Sequence, residues 1–192
     1  MQNKIDQFIA QKTPFCLLNQ ATLPNAPLLF PGSFNPFHEG HKNLLKIAEH
    51  ITKKQGILEL SIQNVDKPTL SANAIATRLK QIESQPILLT RAPTFLEKAA
   101  LFPRAHFILG FDTAERLLSP RYHANIPQML QTFQSLEIHF IVAGRLHQKT
   151  FQTLENLSVP EKYKELFSAI PETLFRADVS STQLRDSKPL DR

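Results

Sequence analysis

A chain of 192 residues, 42% hydrophobic and 20% charged, can bury a sizeable core, and its composition is that of a globular domain rather than a disordered or fibrous chain. No apolar run reaches membrane-spanning length, and the opening MQNKIDQFIAQK lacks the basic start and apolar middle of a secretory signal, so a cytoplasmic protein with no membrane partner is expected. The single cysteine, Cys16, excludes an internal disulfide and reads as a small apolar residue, while a net charge of +5 on scattered basic residues attracts anions without forming a nucleic-acid-binding stripe.

Fourteen prolines cut the chain into short pieces, and neither an internal repeat nor a low-complexity tract is found. Residues 2–12 read as a helix and 13–24 as irregular structure, so 1–24 forms an extension packing on the core of a domain spanning 25–192. PLLFPGS then reads as a buried strand, and GHKNLLKIAEHITKK as a helix whose apolar stripe is Leu44, Leu45, Ile47, Ala48 and Ile51. GILELSIQ is a second strand, SANAIATRLKQIES a helix with Ser71 as its N-cap, PILLTR a third strand, and TFLEKAALF a short helix. AHFILG is a fourth strand, DTAERLL and IPQMLQTFQSL are helices, and EIHFIVAG is a fifth strand. VPEKYKELFSAI reads as a helix, ETLFRA as a sixth strand and SSTQLRD as a final helical turn.

Apolar strands alternating with helices imply parallel units buried on both faces. Right-handed crossovers make the result an α/β, three-layer, doubly wound and mostly parallel sheet. Ligands bind such a sheet beyond the carboxyl ends of its strands, at the topological switch point. The segments to weigh are therefore Gly32–His41, Asn64–Pro68, Arg91–Phe95, Gly110–Asp112, Gly144–Arg145 and Asp178–Arg185.

PGSFNPFHEGH, residues 31–41, holds two of only five glycines, two prolines and two histidines. Gly32 ends a strand and lets backbone pass close to a ligand; Gly40 falls at a helix start, where free N–H groups and the positive helix end favour a phosphate. His38 and His41, three apart, share one face of the first turn, where two imidazoles suit an anion gaining charge in a transition state. The spacing HEGH is one residue short of the zinc-protease H-E-x-x-H, and no cysteine cluster supplies further ligands, so no protein metal site is expected. The bland alternative is a turn with incidental histidines.

GSFNPFHEGH resembles the signature of the nucleotidyltransferase superfamily that carries a His/Thr-x-Gly-His motif, which includes nicotinamide and nicotinate mononucleotide adenylyltransferases, and its Asn35 form is closest to the eukaryotic-type nicotinamide mononucleotide adenylyltransferases. Near the other end, VSSTQLR, residues 179–185, is similar to that superfamily's closing I-S-S-T-x-I-R segment. Alone it reads as a Ser/Thr N-cap with a solvated arginine; with the first motif it implies a second phosphate grip. The resemblance implies a Rossmann-like domain that transfers AMP from ATP to a phosphomonoester, such as a pyridine mononucleotide, and releases pyrophosphate. It makes His38, His41 and Arg185 catalytic, and gives Gly32, Ser33, Phe34, Asn35, Gly40, Ser180, Ser181 and Thr182 to the nucleotide. Mg2+ would travel with ATP, held by phosphates and water.

Lys67, Arg91, Phe95, Gly110 and Asp112 are weaker candidates for the acceptor substrate, each with an ordinary solvated, capping or core reading beside it. With no tryptophan in the chain, a pyridine ring would have to stack on Phe or Tyr. Other readings of the same motifs are a cytidylyltransferase, a non-catalytic nucleotide-binding module and an ATP hydrolase; nucleic-acid binding is the weakest.

Overall fold

The computed structural model describes residues 2–63, 68–82, 85–147 and 150–176. Five of the six strands expected from the sequence are present: β2 (Leu28–Pro31), β3 (Gly56–Ser61), β4 (Ile87–Thr90), β5 (His106–Gly110) and β6 (His139–Ala143). They form a seven-stranded sheet with β1 (Phe15–Leu18) and β9 (Phe167–Ile170) in the order β1-β4-β3-β2-β5-β6-β9. All neighbours are parallel except β1, which runs antiparallel to β4 with Phe15 opposite Thr90 and Leu18 opposite Ile87.

Successive residues of each strand face opposite sides, as the pleat requires. Leu28, Phe30, Leu58, Leu60, Ile108 and Ile141 pack on one face with the buried sides of α1 (Gln2–Gln11), α2 (Glu39–Thr52) and α3 (Ala72–Leu79). Leu29, Ile57, Phe107, Leu109, Phe140 and Val142 pack on the other with α4 (Phe95–Leu101), α5 (Phe111–Leu117) and α6 (Ile126–Ser135). The expected doubly wound, three-layer α/β architecture is therefore present. On the second face, register partners Phe107, Phe140 and Phe167 stack across three strands, with ring centroids 5.9 Å and 5.0 Å apart.

Three expectations are corrected. Residues 13–24 are not wholly irregular: FCLL forms β1, which extends the sheet past β4, while Ile5 and Phe8 of α1 are buried in the core. VPEKYKELFSAI is not one helix. A 3-10 segment at Glu161–Leu166 gives way to β9, because Phe167 completes the stacked phenylalanine row and Ile170 closes the opposite face. ETLFRA, expected as a strand, lies beyond β9; residues 172–174 form a turn, with Leu174 exposed and Phe175 buried. A hairpin unforeseen in the sequence, β7 (Arg145–His147) with β8 (Thr150–Gln152), follows β6. The expected Ser71 cap is present, its Oγ accepting from the Ala74 N–H at 3.2 Å.

Winding reverses between β2 and β5. β2 pairs with β3 along four residues but with β5 only through Leu28–His106 and Leu29–Phe107. Beyond Leu29 the two central strands lose their ladder, and their carboxyl ends part at the switch point, where an open α/β sheet receives its ligand.

Candidate active site

The loop from Gly32 to His38 joins β2 to α2 at that switch point. Its entry is fixed by the Gly32 N–H donating to the Glu59 carbonyl of β3 at 3.0 Å. A Cβ on Gly32 would lie 2.6 Å from Cε1 of Phe34, so the glycine makes room for an aromatic ring of the same loop. Phe34 itself sits at φ 45° with a fully buried side chain, packed edge-on against Phe30 and Phe37 at 5.7 and 5.5 Å. A left-handed backbone at a bulky residue costs on the order of 1–2 kcal/mol, and this packing holds it in place. Phe34, expected to touch nucleotide, thus offers it no side-chain surface; its ring is the floor of the loop. Ser33 and Asn35 on either side are exposed.

His38 caps α2 in extended conformation, and Gly40 and His41 occupy the second and third helical positions. The two imidazole centroids lie 3.8 Å apart. His41 stacks on Phe37 at 5.5 Å with planes 7° apart and meets Phe34 edge-on at 5.4 Å, which fixes its orientation. Its Nδ1 accepts the His38 backbone N–H at 3.3 Å, the place a Glu or Gln side chain takes in a capping box. With Nδ1 an acceptor, the neutral ring carries its proton on Nε2, which is left as a donor.

Burial, and secondarily the neighbouring His38, push the His41 pKa down to about 4; burial lowers His38 as well. Both rings are therefore neutral N–H donors at pH 7 in the free protein. A folded-state pKa below the unfolded value means the neutral form is favoured by folding, so this contribution is complete above pH 6.5. It is lost as acid is added from 6.5 towards 4, and amounts to at most about 3 kcal/mol. His106, stacked 5.2 Å from His139 at the opposite end of the sheet, shifts the same way through burial and then Lys54 and His139. A comparison of wild type with His41→Ala holds His106 constant. The thermal midpoint of wild type should fall more steeply than that of the variant between pH 6.5 and 4; parallel curves would contradict the assignment.

On the β5 side of the switch point, Gly110 ends β5 and caps α5. A Cβ there would meet none of the described residues within 4 Å. Asp112, in the first turn of α5, pairs with Arg145 just past β6, and both are about half exposed. Arg145 is held at this rim by the fold-back of the hairpin: a Cβ on Gly144 would sit 2.5 Å from the Phe151 ring and 2.8 Å from the Gln152 carbonyl. Sequence reasoning marked Arg145 only as a residue following a strand.

A histidine pair stands at a helix start beside the switch point. Residues 29–187 match the model of the cytidylyltransferase-like family. The chain belongs to the cytidylyltransferase-like family. It is thus a nucleotidyltransferase of the superfamily whose motif the histidines carry, acting on a nucleoside triphosphate. No curated protein matches the chain as a relative.

Within this cytidylyltransferase-like domain, two of the weaker candidates are engaged elsewhere. Arg91 donates to the carbonyls of Phe8 and Ile9 at the end of α1 and of Thr13 just beyond, and lies over the Phe8 ring at 5.1 Å. It ties α1 to β4, a structural task the sequence could not reveal. Phe95 packs edge-on against Phe107 at 5.5 Å and Phe140 at 6.0 Å, inside the second core face. Lys67, Ser180, Ser181, Thr182 and Arg185 lie outside the described residues. Among the described residues no three His, Cys, Asp or Glu gather where they could hold a metal ion, and no helix is long and apolar enough to cross a membrane.

Below the loop entry sits a charged group that the motifs do not announce. Lys98 of α4 donates to Glu59 Oε1 and to the Ala92 carbonyl, each at 2.7 Å, and the Thr90 hydroxyl donates to the same Oε1 at 2.5 Å. All three side chains are buried. The signal was present in GILELS, where one acid interrupts an otherwise apolar central strand.

Proposed function

We propose that the protein transfers AMP from ATP to a phosphomonoester, with nicotinate or nicotinamide mononucleotide the first acceptors to try, and releases pyrophosphate. One observation carries the reading: two neutral, partly desolvated imidazoles lie 3.8 Å apart at the start of α2, beside the switch point of the sheet.

A phosphate monoester is already an anionic nucleophile at neutral pH, so the reaction needs no protein nucleophile and no strong base. An acceptor oxygen attacks the α-phosphorus in line, the bond to the α–β bridging oxygen breaks, and that oxygen leaves with the pyrophosphate carrying the electron pair. Catalysis then rests on positioning and on stabilising the charge that builds on the leaving group. Nε2–H of His41, aimed by its Phe37 stack and its Nδ1 acceptor bond, and the adjacent His38 ring would donate to those oxygens. The free N–H groups at the start of α2 add to the same field. Ser180, Ser181, Thr182 and Arg185 would grip the β- and γ-phosphates from the other end of the domain, and magnesium would enter with the triphosphate. Gly110, which no described residue crowds, and Asp112 would face the ribose.

A panel of ATP and CTP against nicotinate mononucleotide, nicotinamide mononucleotide, 4′-phosphopantetheine and sugar phosphates, scored by pyrophosphate release, tests the reading. ATP with a pyridine mononucleotide should give the fastest release. Faster release with CTP would move the donor assignment to cytidylyl transfer, and no release with any pair would reject the function.

A further inference from the structure

One cation beside the loop has no part in the roles assigned above. Arg78, in the last turn of α3, reaches across to the loop and donates through Nη1 to the Ser33 carbonyl at 3.3 Å. That long bond is its only hydrogen bond to a described residue, and no described carboxylate lies within ion-pair distance. A guanidinium has five N–H donors in a planar fork, so most of this fork is unspent. The residue is half-buried, and burial lowers its pKa from the ordinary arginine value, although an arginine remains charged at neutral pH. A surface arginine in search of solvation would swing outward along the helix. This one is held inward, against the exposed Ser33 of the loop.

The position is set by the end of the helix. Gln81, in the turn just past α3, accepts the Phe37 N–H with its Oε1 at 3.1 Å, so the end of α3 and the turn after it grip the loop at two points: Arg78 at Ser33, Gln81 at Phe37. The imidazoles stand at the Phe37 end, and Arg78 stands at the Ser33 end. An in-line transfer places the attacking oxygen and the leaving oxygen on opposite sides of the α-phosphorus. If the His38–His41 end takes the leaving pyrophosphate, a cation at the opposite end of the same loop falls on the attacking side.

We propose that Arg78 binds the acceptor's phosphate, its fork reading two phosphate oxygens while the Ser33 hydroxyl and the loop backbone complete the site. The inference rests on the transfer reading above, and it assigns the acceptor to the α3 side of the loop. It also gives a physical reason for the acceptor to be a phosphomonoester rather than the free alcohol: without a dianion, a half-buried guanidinium keeps most of its donors unmet.

The test is a titration of the full chain with inorganic phosphate, as the stand-in for the acceptor phosphate, with and without saturating magnesium α,β-methylene-ATP to fill the nucleotide site. Wild type should bind phosphate in both conditions. Arg78→Gln should weaken phosphate binding about tenfold to a hundredfold, the loss expected for a charge-assisted bidentate contact, while analogue affinity stays within about twofold. Arg78→Lys, which keeps the charge but not the fork, should fall between them and retain the wild-type melting midpoint, so a folding defect in the glutamine variant would not hide the result. Phosphate binding unchanged in both variants with the analogue bound overturns the proposal and leaves the transfer reading standing. Equal losses for phosphate and analogue also overturn it, since Arg78 then serves the loop or the nucleotide. Arg78-dependent phosphate binding in a protein that takes no nucleotide analogue would uphold the anion site and overturn the transfer reading instead.

Discussion

Replacing His41 by alanine should lower kcat about a hundredfold to a thousandfold while MgATP affinity changes by no more than about threefold, the pattern of a donor that acts mainly on charge developed in the transition state. The structure makes the contrast sharper than a single variant allows. His41 does two things: Nδ1 accepts the His38 N–H and so caps α2, and Nε2 is left as a donor. His41→Asn keeps an acceptor near Nδ1 and removes the donor at Nε2. It should therefore recover part of the stability that alanine loses and none of the rate. Steady-state kinetics beside calorimetric binding of MgATP would read both. A variant that loses affinity and keeps its rate would make the site one that only holds nucleotide.

Replacing Lys98 by methionine should destabilise the fold by about 3–5 kcal/mol, because Glu59 is then left charged in the core with the Thr90 hydroxyl as its remaining side-chain partner. The double variant Glu59→Leu with Lys98→Met should recover most of that loss, since an apolar pair of similar volume avoids desolvating two charges. Glu59 anchors Gly32 through its backbone carbonyl, which leucine retains, so the loop keeps its entry bond in the double variant. Urea midpoints, with the slope unchanged between variants, would measure both steps. A loss under about 1 kcal/mol in the single variant would mean that the pair is not a fixed part of the core.

The sheet was readable because its strands are near-continuous apolar runs of four to six residues, each bounded by proline, glycine or a charged turn. β1 and β9 escaped for the opposite reason. FCLL sits between Pro14 and a polar stretch, and FSAI shows two exposed residues between two buried ones, a pattern as close to a helical turn as to a strand. Only their partners, β4 and Phe140, decide them. At the site, the histidine spacing was legible because three residues along a helix always bring two side chains to one face. The reason for Gly32 was not. Sequence suggests room for a ligand, and the structure shows room for the Phe34 ring, whose inward turn depends on a left-handed backbone that no motif announces. Arg78 was hidden among ordinary helix-face cations and Arg145 stood out only by following a strand, because the role of each depends on which loop the fold lays against it.

The central claim is that the bond broken lies between the α-phosphorus and the α–β bridging oxygen, with both imidazoles facing the departing pyrophosphate. Incubating the protein with magnesium and ATP labelled separately at the α- and γ-phosphates, together with the acceptor that turns over in the panel, follows that bond. The account predicts that the α label joins the acceptor and the γ label appears only in pyrophosphate. Gamma label recovered as inorganic phosphate or on the acceptor, or α label released as free AMP while the acceptor stays unlabelled, would contradict it.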